Sequence, residues 1–407
     1  MIPEVLGYSF PNDIHILWSL MIVTYPYVTG LVAGAFIVSS LYHVFGRKEL
    51  WPIGRFSLVA SLAFMIVATW PLLNHLGHPE RALNIMVTPN PSSAMAGFGL
   101  AYNWYLMILV LEVWFVFRRD IVLTARRSRG LKRFVFSVLA LRTYDISEEA
   151  LRTDHKIVTV LAAIGIPSAC FLHGYVGFLF GAIKANPWWS TPLMPIIFLF
   201  SAVVSGIAAM ILMYLAAMAL KGLPILRETV ATMARWLWLF MILTVTLELL
   251  EIITLSYESD EAWVIIRELL TTRLSFSFFS LQLVFGSLIP FILLMIVVLM
   301  GSQMKARVQN ILAGAASCIL LIQVFSMRWN VVIGGQLFSK SLRGLRSPYE
   351  PGFFEKEGIL AMLLILVAPF VILTLFERVL PMFQSVEEAY AAGKITAEDT
   401  EGAEAAP

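Results

Sequence analysis

Gly358-Ile-Leu-Ala-Met-Leu-Leu-Ile-Leu-Val-Ala-Pro-Phe-Val-Ile-Leu-Thr-Leu-Phe376 carries no charged side chain and one hydroxyl. A helix rises about 1.5 Å per residue and the bilayer's hydrocarbon core is about 30 Å thick, so such a run reads as a membrane crossing. Eight more runs of this kind precede it, at 14–45, 53–75, 96–117, 157–183, 193–220, 236–257, 276–301 and 308–330. The fold class expected is an all-α integral membrane protein with about nine transmembrane helices. No stretch between the runs is long enough for a soluble domain of ordinary size.

The composition agrees. Hydrophobic residues make up 59% and charged residues 14%, where a soluble protein carries about 25% charged. Mean hydropathy is +0.81. A net charge of +2 gives no field that points to nucleic acid. The two cysteines, Cys170 and Cys318, both lie in apolar runs. Without a CxxC or a Cys/His cluster, this chain is not expected to hold covalent haem, zinc or an iron–sulfur cluster by itself. The first 13 residues contain Glu4 and Asp13 but no Lys or Arg, so the first run is expected to be a retained helix, not a cleaved signal.

Alternate loops belong to opposite faces. The face with loops 46–55 and 118–156 and the C-terminus collects about 20 of the 29 Lys and Arg, and the face with the N-terminus about 9. The positive-inside rule then puts the N-terminus outside and the C-terminus inside, which would be periplasm and cytoplasm in a bacterial inner membrane. Loop 328–356 dissents, with five basic residues on the outer side. Loop 118–156 reads as an anchor on anionic lipid or a docking surface. Segment 260–273 alternates apolar and charged positions at helical spacing and is expected to lie in the interface. The tail from about Ser385 is Ala/Glu-rich and expected to be disordered.

Ionisable groups in the apolar phase are costly and mark function by default. With that orientation, His15, His75, His173, Tyr175 and Arg328 all fall near the outer surface, from separate parts of the chain. Three carboxylates lie deeper: Glu251, Glu248 and, nearer the inside, Glu112. In order of depth they trace a proton route, or are protonated structural groups between helices. A quinone needs donors for two carbonyls and a proton partner near neutral pH. Tyr175 suits the first role and His15 the second, with Asn12 one turn from His15. Gly30/Gly34 and Gly177/Gly181 form GxxxG pairs that let helices approach closely.

Four stretches carry a family resemblance: Tyr27-Val-Thr-Gly-Leu-Val-Ala-Gly34; His75-Leu-Gly-His-Pro-Glu-Arg81 with Pro91-Ser-Ser-Ala-Met-Ala-Gly97; Gly174-Tyr-Val-Gly177 with Trp188-Trp-Ser-Thr-Pro-Leu-Met-Pro195 and Phe200-Ser-Ala-Val-Val-Ser-Gly206; and Arg328-Trp-Asn-Val-Val-Ile-Gly-Gly-Gln336. With these the chain resembles the NrfD/PsrC family, integral membrane subunits of polysulfide reductase and related respiratory complexes. The resemblance implies two four-helix bundles, at 14–183 and 184–330, after a periplasmic N-terminus at 1–13. A periplasmic loop at 331–357, an extra helix at 358–383 and a cytoplasmic tail at 384–407 would follow.

It also implies a quinone, menaquinone or ubiquinone, bound near the outer face as substrate by Asn12, His15 and Tyr175, with His173, His75 and Arg328 supporting or docking. The implied function is electron exchange between the quinone pool and a periplasmic ferredoxin-like iron–sulfur partner, coupled to protons if the deep carboxylates conduct. In length and its ninth helix the chain is most similar to the DsrP type, which implies DsrO-, DsrM-, DsrK- and DsrJ-like partners and sulfur metabolism. Two other classes compete. A proton- or ion-coupled secondary transporter would use the buried Glu residues and helices broken at Pro167 and Pro290. A haem b cytochrome would use His75 with His173, or His43 with His155.

Overall fold

A computed structural model describes residues 14–258, 261–339, 342 and 344–395. Its long helices, in chain order, are α1 (Leu20–His43), α2 (Lys48–His75), α3 (Ala94–Arg127), α4 (Glu148–Gly181), α5 (Met194–Lys221), α6 (Arg227–Tyr257), α7 (Ser275–Gln303), α8 (Ala306–Gln336) and α9 (Ile359–Glu377). Among the described residues eight of them, all but α3, are long and apolar enough to cross a membrane. The ninth expected crossing, 96–117, lies wholly inside α3, which matches α4 in length but carries Asn103 and Glu112 along its apolar run. Strand structure is limited, among the described residues, to one bridge between Phe338 and Leu345.

The helices pack as two groups of four. α1–α4 form one bundle, α5–α8 the other, and α9 lies against α2. The bundles meet where α1 and α4 run along α5. At the centre of that seam Gly34 faces Gly206, and a Cβ on either would strike the other's backbone. Glycine is required there by close approach, as the first GxxxG pair suggests. α1 is consequently buried almost all round, as expected of a helix with no polar face at the centre of a bundle. Ser19 caps its start by accepting from the Met21 amide, and Gly222 closes α5 at φ 63°, a left-handed turn that favours glycine.

α7 is irregular. Ser275–Leu288 winds as a π-helix before Ile289–Met300 resumes the α form. Pro290 sits at the junction, where it has no N–H to give to the preceding turn. π-helix is rare and occurs mostly as single-turn bulges, which are frequent at functional sites.

The face from which α1 starts is called here the Leu20 face, and the face bearing residues 118–156 the basic face. On the basic face Arg118 is buried, donating to Asp154 at 2.7 Å and to the Asp145 carbonyl at 3.0 Å. Arg55 pairs with Asp120 over the ring of Phe117. The expected interfacial segment is the helix Glu261–Thr272, which buries Ile265, Ile266, Leu269 and Leu270; Asp260 lies outside the described residues. The tail departs from expectation. Gln384–Ala391 is a helix, because Met382, Phe383 and Val386 bury an apolar stripe, Phe383 stacks on Phe56, and Lys221 bridges Glu377 and Glu387. Residues 396–407 lie outside the described residues.

Candidate functional site

The predicted site residues fall into several places. The segment leading into α1 is stitched to the end of α8 and to the loop between α8 and α9. The Trp18 amide donates to Gln336 Oε1 at 2.8 Å, and Gln336 Nε2 donates back to the Trp18 carbonyl at 3.2 Å. The Trp18 ring stacks on Trp189 with centroids 5.1 Å apart. The Leu20 amide donates to Tyr349 Oη at 3.0 Å. Within this segment His15 is exposed, while Asn12, its proposed neighbour, lies outside the described residues.

His75 closes α2 at the same face. Its Nδ1 lies 2.7 Å from Glu357 Oε2, and the Ser19 hydroxyl donates to the same carboxylate. Burial pushes the Glu357 carboxyl up, but Ser19, His75 and Lys356 outweigh it and hold it below its usual range. His75 is thus engaged in tying α1, α2 and the start of α9 together.

Tyr175 and His173 sit two residues apart on α4, about 200° around the helix, and face different neighbours. Tyr175 is half-buried. Its hydroxyl donates to the Ala94 carbonyl at 2.8 Å, and its ring stands between Phe171 and Phe178. A Cβ on Gly97 would strike the Tyr175 hydroxyl, so the first turn of α3 carries a glycine to admit it.

His173 is fully buried on the other side, against α5 and α8. Its Nε2 lies 3.4 Å from Arg328 Nη2, and its Nδ1 has no partner. Arg328 is itself fully buried. It donates to Ser201 Oγ at 2.6 Å and to the Phe198 carbonyl at 3.2 Å, with its guanidinium 3.8 Å from the Phe198 ring centroid. Such a desolvated cation over an aromatic face gains from the ring quadrupole. So His173 and Arg328 come together at the junction of the bundles, and no direct contact joins them to His15, His75 or Tyr175.

The deep carboxylates also separate. Glu112 is fully buried in the first bundle, and neither oxygen has a partner. Glu248, on α6 in the second, accepts from Gln282 Nε2 at 2.9 Å. Gln282 Oε1 accepts from Asn330 Nδ2 at 2.8 Å, and Asn330 Oδ1 accepts from Ser277 Oγ at 2.6 Å. This chain climbs from Glu248 toward the Leu20 face through the π-helical half of α7. Glu251, one turn from Glu248, keeps one oxygen without a partner. Gln282 and Ser277 escaped the sequence reading, and Asn330 entered it only within the family stretch 328–336, because it weighed ionisable groups; an amide inside an apolar run is the signal that finds Gln282 and Asn330. Among the described residues no group of three or more His, Cys, Asp or Glu is placed to hold a metal.

The fold and these buried polar groups define a multi-pass integral membrane protein of two four-helix bundles, with polar chemistry between and within them. The sequence matches the family described as polysulphide reductase, NrfD, over residues 11–340. The chain belongs to that family. It is similar to a subunit of the selenate reductase of Mesobacillus selenatarsenatis, at 34% identity over 203 residues, 48% of this chain and 47% of that protein. It is similar to the NrfD homolog of Haemophilus influenzae, at 27% over 222 residues, 53% and 65% of the two chains. It also matches the Hdr-like menaquinol oxidoreductase integral membrane subunit of Archaeoglobus fulgidus, at 21% over 194 residues, 48% and 40%. The chain spans about half the length of the curated relatives it matches.

Proposed function

We propose that the chain is the quinone-interacting membrane anchor of an oxidoreductase complex, exchanging electrons between the quinone pool and an iron–sulfur partner docked on the Leu20 face, which would be periplasmic. The naming of a relative as a menaquinol oxidoreductase subunit favours menaquinol. The observation that supports this reading most is Tyr175: a half-buried phenol between two aromatic rings, close to the Leu20 face. With its proton directed at the Ala94 carbonyl, the hydroxyl offers lone pairs, which suit the O–H of a quinol. Donating to a quinone carbonyl requires it to release Ala94. The arrangement therefore favours quinol as the bound form.

His15, exposed on the leading segment, would take the proton that a quinol releases, with Asn12 orienting the ring. His75 holds the segment through Glu357, and His173 and Arg328 set the potential and packing behind it. A proton route within the protein would use Glu248, Gln282, Asn330 and Ser277, with Glu251 beside it; Glu112 would serve a separate branch. Assembly with DsrO-, DsrM-, DsrK- and DsrJ-like subunits in sulfur metabolism is the finer form of the proposal. The transporter reading keeps one argument, the polar chain beside an irregular helix in the second bundle.

The test is titration of a fluorescent quinol-analogue inhibitor into wild type, Tyr175→Phe and His15→Ala. The expected result is saturable binding, weakened tenfold or more by either change. A well-folded sample that binds none, with its partner present, overturns the quinone reading in favour of transport.

A further inference from the structure

Two cavities open near the basic face and share Arg47 and Trp236. One is a chamber of ≈ 250 Å³ lined also by Glu49, Thr232, Arg235 and Leu239, with charged groups set against an apolar wall. The other is an apolar groove of ≈ 370 Å³ that runs between α1, α4, α5 and α6, walled by Ile37, Ile166, Leu199, Val203 and Phe240. The groove follows the seam of the two bundles along membrane-spanning lengths of helix, where hydrocarbon is the natural filler. Its aromatic wall is ordered: Trp236 stacks on Phe240 at 6.1 Å, and Phe240 lies 6.0 Å from Phe200.

The cations at the mouth have charge to spare. Arg47 lies over Trp236 at 5.9 Å from the ring centroid and makes no ion pair among the described residues. Arg235 approaches Glu228 only at 3.9 Å and otherwise bonds its own helix. Two guanidinium groups with free donors match a phosphate, and basic pockets between membrane helices take lipid head groups. Glu49 stands on the same wall, its side chain also without an ion pair among the described residues. The pattern of two cations and one anion above an apolar groove matches one molecule: a phosphate, an ammonium and an acyl chain.

We propose that this seam holds one glycerophospholipid of the bilayer. Its phosphate lies on Arg47 and Arg235, its ethanolamine ammonium against Glu49, and one acyl chain fills the groove between the bundles. The site is distinct from the polar groups near the Leu20 face and does not depend on the quinone reading.

Native mass spectrometry of the full chain, extracted in mild detergent from phosphatidylethanolamine–phosphatidylglycerol bilayers, tests it. One phosphatidylethanolamine retained per chain is expected. Arg47→Glu with Arg235→Glu should weaken retention at least tenfold, while Arg47→Lys with Arg235→Lys keeps it. Leu199→Trp, which fills the groove from its wall, should expel the lipid with the arginines intact. This gives a second route should the charge reversal fail to fold. Glu49→Gln should abolish the preference for ethanolamine over glycerol headgroups. Retention unchanged by both the charge reversal and Leu199→Trp overturns the site. Wild-type preference for phosphatidylglycerol overturns the occupant, and inorganic phosphate binding as tightly as the lipid overturns the role of the groove.

Discussion

Both bundles bury a carboxyl in hydrocarbon, and they treat it differently. In the first, Glu112 has no hydrogen-bond partner for either oxygen. In the second, Glu248 stands at the foot of a four-residue chain that reaches α7 and α8. The same residue type, deeper from the Leu20 face in the first bundle than in the second, is a solitary group in one and part of a network in the other. A buried polar group costs free energy according to whether it is partnered, so the two bundles differ in what each carboxyl contributes to stability and in what it can pass on. Between them Arg328 lies at the junction, bonded to both sides through Ser201, the Phe198 carbonyl and His173.

The largest effect is expected at that junction. Arg328→Ala removes the donor to the Ser201 hydroxyl, leaves the Phe198 carbonyl only the Ser201 hydroxyl as a side-chain donor, and opens a void, a loss of about 3 kcal/mol or more by the usual cost of breaking a buried charged group's bonds. Unfolding in graded denaturing detergent measures it, and a loss below about 1 kcal/mol would mean the junction carries little. Next comes the contrast itself. Glu248→Leu should destabilise by about 1–3 kcal/mol, because Gln282 loses its acceptor. Glu112→Leu should cost nothing or stabilise, since an unpartnered buried carboxyl gives way to hydrocarbon of similar volume. Equal costs for the two would erase the distinction.

The smallest effect lies at the Leu20 face. Glu357 is held below its usual value near 4.5, so its contribution is fully present above that pH and fades as pH falls through the lower, folded value. A thermal-stability series from neutral to acid pH should show this step in wild type and lose it in Glu357→Gln. A step of the same size in the variant would assign it elsewhere.

Much of the fold was legible because each crossing must satisfy its own backbone in hydrocarbon and stay apolar throughout. The glycines that set the helix seam were legible for the same kind of reason: only small residues permit that approach. Grouping the helices as two bundles came through the resemblance to a family, not through periodicity. The candidate site was less legible. His173, Tyr175 and Arg328 could be placed in depth, but depth says nothing of rotation. Whether α4 turns residue 173 or 175 inward depends on the shapes of Phe198, Gly30 and Gly97. The sequence reading also looked for charge, so it passed over Gln282 and gave Asn330 and Gln336 no role beyond the family stretch 328–336 that contains them, although the importance of these amides lies in whom they meet. The tail misled because Ala and Glu outnumber the few apolar residues that dock it.

The contact of Gly34 with Gly206 has a mechanical consequence. With no side chain between the two backbones, α1 and α5 touch main chain to main chain at their crossing and cannot come closer there. A relative movement of the halves that keeps this contact swings about that point as about a fulcrum. Groups close to it, His173 and Arg328 among them, then keep their spacing, while the far ends of the helices travel furthest.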